Sequence, residues 1–347
     1  AGATAVTVEI RDGGISFIRI TDNGSGMEAD DIRVAFLRHA TSKIKEAHDL
    51  ESILTYGFRG EALASIAAVA NVTLKTRRAE DETAISVEVA DSKILSTTEI
   101  SAPKGCNIQV ADLFYNVPAR RKFLKSVAAE MRHIEQEFIR VAMVHPDKAF
   151  TLKHGGRDVR SVRPASGLKE RIIQLCGQDI SKELIDVRSD TSVIKISGFT
   201  GSPVDARKTL GNQYFFVNGR FFRSPYLHKA VCKPYENMVR EGYTPSYFLF
   251  LECDPTKVDV NIHPAKTEVK FTDEYMLFDV LSASIKEALG KNSFAPSIDF
   301  ESGEILSFPS PHPSSDSGGL FPFAGRQDAY GAASGTGGSH SGYAPTA

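Results

Sequence analysis

Paired cysteines, long apolar runs and a P-loop are all missing from this sequence, and each absence argues against a class of function. Its four cysteines, Cys106, Cys176, Cys232 and Cys253, stand far apart and form no CxxC pair, and the nine histidines show no zinc-ligand spacing beside them. The expectation is therefore a reduced, metal-free cytosolic protein with neither a disulfide framework nor a structural zinc site. No apolar run approaches the roughly 18–20 residues of a membrane span, and no charged-then-apolar leader stands at the start. GxxxxGK[ST] occurs nowhere, so any phosphate site must be built differently. There is no internal repeat.

What is present suffices for a real core. The chain has 347 residues, 41% of them hydrophobic, and at roughly 100–200 residues per domain this length suits about two domains. A net charge of −2 says little about partners, but its distribution says more. From Thr151 to Arg240 sixteen Lys and Arg stand against eight Asp and Glu, and the rest of the chain is acidic. A basic middle suggests contact with a polyanion.

Near the start, Val6, Val8 and Ile10 alternate with polar residues, Asp12-Gly13-Gly14 is a hairpin turn signal, and Ile15 to Ile20 is mostly apolar. The spacing of Ile32, Ala35, Phe36 and His39 predicts a helix after the glycine-rich DNGSG, and Leu63, Ile66, Ala67 and Ala70 predict a second. Met131, Ile134, Phe138 and Val141 predict a third that stops before Pro146. The first domain, 1–165, then reads as an α+β sandwich with helices laid over one sheet. A boundary near Pro164 to Gly167 opens a second, α/β domain over 166–295. It contains a helix from Leu168 to Cys176, a strand from Val193 to Ser197, an Asn218-Gly219 hairpin in QYFFVNGRFF, and a closing helix from about Asp273 to Leu289. Residues 296–347, rich in Ser, Gly and Pro, read as linker or disorder.

Three short stretches carry candidate chemistry. In YGFRGEALASI (Tyr56 to Ile66), Gly57 and Gly60 precede Glu61, Ala62 and Leu63 at a helix entrance, where unpaired N–H groups and a partial positive charge favour an anion. Taken alone, it is first a structural turn. DNGSG (Asp22 to Gly26) ends a strand with a carboxylate that could accept the exocyclic amine of adenine, while Gly24 and Gly26 leave room for a flat ring. Asp-Asn-Gly is also ordinary turn chemistry. RHATSK (Arg38 to Lys43) offers hydroxyls and an ammonium at a helix end.

Together, in order between Asp22 and Leu63, these stretches resemble the MutL family of DNA mismatch-repair ATPases, within the GHKL group shared with DNA gyrase B, the heat-shock chaperone ATPases and histidine kinases. GCNIQVADLFYNVPARRKFLK (Gly105 to Lys125), VNGR and DVNIHPAKTEVKF extend the resemblance over roughly residues 1–289. It implies a GHKL-type sandwich followed by a transducer domain of ribosomal-protein-like fold. It also implies ATP with Mg2+ as cofactors. Asp22 would bind adenine, Gly24, Gly26 and Met27 would line the base pocket, and Thr41, Ser42 and Lys43 would surround the phosphates. Gly57, Phe58, Arg59, Gly60, Glu61, Ala62 and Leu63 would form a lid over the triphosphate, and Lys266 would reach the γ-phosphate from the second domain.

The family begins with a helix bearing a water-activating glutamate and a Mg2+-holding asparagine, and this sequence starts just after where that helix should end. The expectation is negligible ATP hydrolysis by the chain as given. Cys106 stands where relatives usually carry Thr or Ser. The basic residues Arg120, Arg121, Lys122 and Lys125, and Arg220 and Arg223 beside aromatics, suit phosphate-backbone contact without base reading. The resemblance further implies partners: DNA, a mismatch-recognition protein, a downstream repair nuclease or helicase, and a second copy joined through a C-terminal domain not in this sequence. No membrane is implied, and the expected place is the bacterial cytoplasm at the nucleoid. Two other readings remain: a nucleotide-independent DNA-binding scaffold, and a gyrase-B-like topoisomerase subunit, which ATSK and FYNVPARRKFL argue against.

Overall fold

Alternating Val6, Val8 and Ile10 build strand β1 (Ala5–Arg11), and a 3₁₀ turn at Asp12-Gly13-Gly14 folds the chain back into β2 (Phe17–Asp22), with Ile10 opposite Ile18. The computed structural model describes residues 2–37, 61–208, 211–259 and 268–292. Six further strands complete the first sheet: β3 (Asn71–Arg77), β4 (Ala84–Ala90), β5 (Lys93–Ile100), β6 (Gly105–Ala111), β7 (Ala149–His154) and β8 (Arg157–Val162). Their order is β5-β4-β3-β6-β2-β1-β7-β8, antiparallel throughout except between β1 and β7.

The pairing register runs Leu152, Val8, Ile20, Ile108, Leu74 and Val87 across one face. Lys153, Glu9, Arg19, Gln109, Thr73 and Glu88 occupy the other, as period-2 alternation requires. Helices cover the apolar face. On one side α1 (Ala29–Ala35) and α2 (Ala62–Ala67) bring Ile32, Phe36 and Ala67 onto Val72, Leu74, Val87 and Val89. On the other, α4 (Val127–Val144), which follows the single-turn α3 (Pro118–Arg121), brings Phe138, Ala142 and Met143 onto Ile10, Phe150 and Leu152, joined by Ile172 and Leu175 of α5 (Leu168–Cys176).

A second, five-stranded sheet follows, made of β9 (Leu184–Asp190), β10 (Ile194–Gly201), β11 (Gln213–Val217), β12 (Arg220–Phe222) and β13 (Tyr247–Cys253) in the order β12-β11-β13-β10-β9. The expected hairpin is there: Asn218 and Gly219 take φ of 47° and 79°, the left-handed pair that a two-residue turn demands. This sheet is apolar on both faces. Phe215, Val217, Tyr247 and Leu249 pack beneath α6 (Pro225–Cys232) and α7 (Glu274–Lys291), whereas Phe216 and Phe248 join the α4–α5 cluster of the first sheet. Burial on both faces suits the continuous apolar character of Tyr214–Val217 and Tyr247–Leu251. Ser224 caps α6, accepting the Leu227 N–H at 3.1 Å, and Asp273 caps α7, accepting the Met276 N–H at 3.0 Å. The expected strand at Val193 lies one residue later and runs to Gly201, and DVNIHPAKTEVKF supplies the short pair β14 (Val258–Asp259) and β15 (Lys270–Phe271).

Ala1–Ala295 form one compact unit. The expected linker or disorder over 296–347 lies outside the described residues. Among those described, no helix is long and apolar enough to cross a membrane.

Candidate functional site

Among the described residues, the first sheet is left partly open between the two helix-covered regions. Ile20, midway along β2 and on the apolar face, is 43% exposed, although Ile10 on the neighbouring strand is only 1% exposed and Leu74, two strands away, is fully buried. Val8 and Ile108, its partners across the register, are half-buried, so among the described residues Ile20 marks a notch in the helical cover of this face. Asp22, two residues further along β2, points from the same face and stands at one end of this notch.

The loop that follows is tied down on three sides. Asp22 Oδ1 accepts the Gly24 N–H at 2.8 Å, and among the described residues its Oδ2 accepts no hydrogen bond. Asn23 Oδ1 accepts the N–H groups of Thr4 and Ala5 at 2.9 and 3.0 Å, and its amide donates to Thr4 Oγ1 at 2.7 Å, clamping the start of β1. Gly26, at φ 77°, lies so close to β3 that a Cβ there would sit 2.3 Å from the Arg77 carbonyl oxygen. The Met27 N–H donates to Thr76 Oγ1 at 2.9 Å, and that hydroxyl donates in turn to the Gly105 carbonyl at 3.0 Å.

Cys106 Sγ lies 3.3 Å from the same Thr76 hydroxyl. Burial pushes its thiol above the usual range and the negative charge of Asp22 adds to this, against the opposing pull of the Thr76 hydrogen bond. Cys106 is therefore a neutral wall residue. Burial also raises Cys253, Cys176 to about 12 and Cys232 to about 11. Because the thiolate is the reactive form, alkylation by iodoacetamide at pH 8 is expected to be about tenfold or more slower for all four cysteines in the folded chain than in urea. Mass spectrometry of the four peptides reads this directly, and fast labelling of Cys106 would show that the Thr76 contact does not close over it.

Of the residues expected to form the lid, Glu61, Ala62 and Leu63 are described. They open α2, where Leu63 packs against the Ile32–Leu74 cluster and Ala62 faces solvent. Thr41, Ser42, Lys43, Gly57, Phe58, Arg59, Gly60 and Lys266 lie outside the described residues. On the second sheet, strand alternation sends Arg220 to the side of Phe222, while Arg223 follows the end of β12. Arg223 is exposed, and its charge is felt by Arg140 of α4, whose guanidinium stacks 3.9 Å from the centre of the Phe221 ring and pairs with Glu137. Sequence reasoning missed both Thr76 and Arg140. Each reads as an ordinary strand or helix residue, and nothing near it in the chain signals the partner it meets. Among the described residues, no three His, Cys, Asp or Glu are grouped to hold a metal ion.

Two family profiles match the chain. One, described as a histidine kinase-, DNA gyrase B- and HSP90-like ATPase, covers residues 1–115, and the other, described as the C-terminal domain of DNA mismatch repair protein, covers residues 172–290. The DNA mismatch repair protein MutL of Porphyromonas gingivalis is 49% identical over 309 residues, which is 89% of this chain and 50% of that protein. The chain thus spans about half the length of the curated relatives it matches. Among solved structures, the N-terminal domain of a DNA repair protein superposes with a TM-score of 0.72 at 23% identity, covering 84% of this chain and 91% of that one. The MutL ATPase domain of Aquifex aeolicus complexed with ADP gives 0.55 at 24% identity, covering 80% and 89%. These two likenesses concern the fold. The unbroken run of motifs, the two profiles and the 49% identity together establish that the chain belongs to the MutL family of DNA mismatch repair proteins.

Proposed function

We propose that this chain is the nucleotide-binding and transducer part of an ATP-driven switch in DNA mismatch repair, which binds DNA and couples mismatch recognition to later repair factors. The observation that carries the reading is the open notch over Ile20 with the Asp22 carboxylate at its end. Oδ1 is held by Gly24, so Oδ2 is oriented to accept an exocyclic amine while Ile20 offers apolar floor to a purine. Gly24, Gly26 and Met27 wall the base. Thr41, Ser42, Lys43, the segment 57–63 and Lys266 are assigned to the phosphates by motif alone. ATP supplies the binding energy whose difference between states shifts the conformation. Mg2+ would accompany the triphosphate and offset the charge on its oxygens.

The sheet of β1–β8 is assigned to the ATPase part, 1–165, and the second sheet to the transducer part, 166–295, with 296–347 as linker. DNA would be held largely without sequence preference, with Arg220 and Arg223 among the phosphate contacts. Family membership supports a mismatch-recognition protein, a repair nuclease or helicase and a second copy as partners, and the bacterial sources of the relatives support work at the nucleoid. The gyrase-like reading loses ground because the profile over 172–290 is that of mismatch repair proteins.

Calorimetry on Asp22→Ala tests the assignment. Removing the Asp22 acceptor is expected to cost roughly 1–3 kcal/mol of adenine-nucleotide affinity, with native circular dichroism retained. Unchanged affinity in a folded variant would leave the nucleotide-independent scaffold as the better account.

A further inference from the structure

The five consecutive residues from Ala119 to Phe123 are all exposed, and the last of them, Phe123, is 84% open to water. A ring of that size forgoes roughly 1.5–3 kcal/mol of stabilisation by staying outside the core, so its position calls for a cause. Floppiness is not one. The Phe123 N–H donates to the Arg120 carbonyl at 3.0 Å and the Leu124 N–H to that of Arg121 at 3.2 Å, while the Lys125 N–H is held by Glu130 Oε1 at 2.8 Å. Both ends of the turn between α3 and α4 are thus fastened, and the ring is presented outward from a built backbone.

Its neighbours choose the occupant. Arg120, Arg121, Lys122 and Lys125 carry four positive charges, and no acidic residue occurs from Pro118 to Ala129. All four are exposed, and among the described residues none is engaged in a salt bridge. An apolar partner surface would be met poorly by such a ring of cations. A polyanion that also offers flat faces would be met well, and a nucleic acid with unpaired bases has both: phosphates for the cations and a π-face for the phenyl ring. In a duplex those faces are covered by stacking.

We propose that Phe123 is a base-stacking platform which, with the basic residues around it, gives this chain a site for single-stranded DNA. This rests on the proposed DNA-binding function but goes beyond it, because Arg220 and Arg223 were assigned to the backbone of any DNA, whereas Phe123 discriminates single strand from duplex.

Fluorescence anisotropy of the 347-residue chain with a labelled oligothymidylate of about 20 nucleotides, and with a duplex of equal length, tests it. Phe123→Ala is expected to weaken single-strand binding about tenfold and to leave duplex binding within about twofold, since stacking on one aromatic is worth that much and a duplex offers no free face. Phe123→Trp should restore single-strand affinity. The chain contains no tryptophan, so this variant carries a single indole, whose emission should be quenched on adding the single strand and little changed by duplex. Equal single-strand affinity for wild type and Phe123→Ala, or equal quenching by both forms of DNA, would overturn the proposal while leaving the DNA reading intact. A wild-type chain that binds neither DNA would overturn the DNA reading as well. A change in sedimentation between wild type and Phe123→Ala without DNA would assign the ring to contact between copies of the chain, and so also overturn it.

Discussion

Gly105→Ala is expected to lower the melting temperature by about 10 °C and to abolish nucleotide binding, because the methyl group has no direction in which to go. A Cβ at this position would lie 2.1 Å from the Asp22 carbonyl oxygen and 2.9 Å from the Asn23 Cα, and the backbone stands at φ 114°, where a side chain is strained whatever the space. The atoms in the way belong to the main chain at and just past the end of β2 and cannot swing aside as a side-chain tip would. Relief requires β2 and β6 to part at the Asp22–Cys106 pair, which carries away both the carboxylate proposed to hold adenine and the Gly105 carbonyl that receives Thr76. Strain and lost pairing together amount to roughly 3–5 kcal/mol. Gly156→Ala is the control, since Gly156 is also at positive φ, 81°, but has nothing within 4 Å of its Cβ position. It should cost only about 1–2 kcal/mol from the left-handed backbone. If the two variants melt together, the close approach of β6 to Asp22 is not what holds the site.

Arg171→Ala is expected to cost about 4 kcal/mol, among the largest effects of any single truncation in the chain. Arg171 is fully buried on α5, and its Nη2 lies 2.8, 2.5 and 3.0 Å from the carbonyl oxygens of Pro146, Lys148 and Arg163. These three flank the β7–β8 hairpin, so one guanidinium fastens both of its ends to the helix beneath. Truncation would take this donor from the Lys148 and Arg163 carbonyls, at roughly 1–3 kcal/mol each before any relaxation, while the Pro146 carbonyl keeps the Ala165 N–H at 2.7 Å. Arg171→Lys supplies an ammonium to the same place and should recover part of the loss. Urea denaturation of the three proteins settles the point, and a midpoint for Arg171→Ala equal to wild type would mean that water serves the carbonyls as well.

How far such contacts could be foreseen depends on how far apart in the chain they lie. The hairpin at Asp12 to Gly14, the Asn218-Gly219 turn, the helices and the Asp22–Gly26 loop were legible because their determinants are contiguous: an alternation, a residue pair that accepts positive φ, a carboxylate followed by glycines. Thr76 was not, since Met27 and Gly105, which it joins, lie 49 and 29 residues away and a threonine in a strand announces no partner. Arg171 looked like one more cation in the basic middle of the chain and is instead a core residue. The alternation that put Arg220 and Phe221 on different sides of β12 was readable in principle, but only once the hairpin register was fixed.

The aromatic face of the second sheet has a wider consequence. Tyr214 stacks on Phe248 with ring centres 5.5 Å apart, Phe216 on Phe250 at 4.6 Å, and this layer is continuous with Phe138 and Met143 beneath the first sheet. A close-packed interior is nearly incompressible, so a displacement of α4 passes to the second sheet without being absorbed on the way. The two sheets therefore share one buried layer, and unfolding either would expose aromatic rings that the other covers.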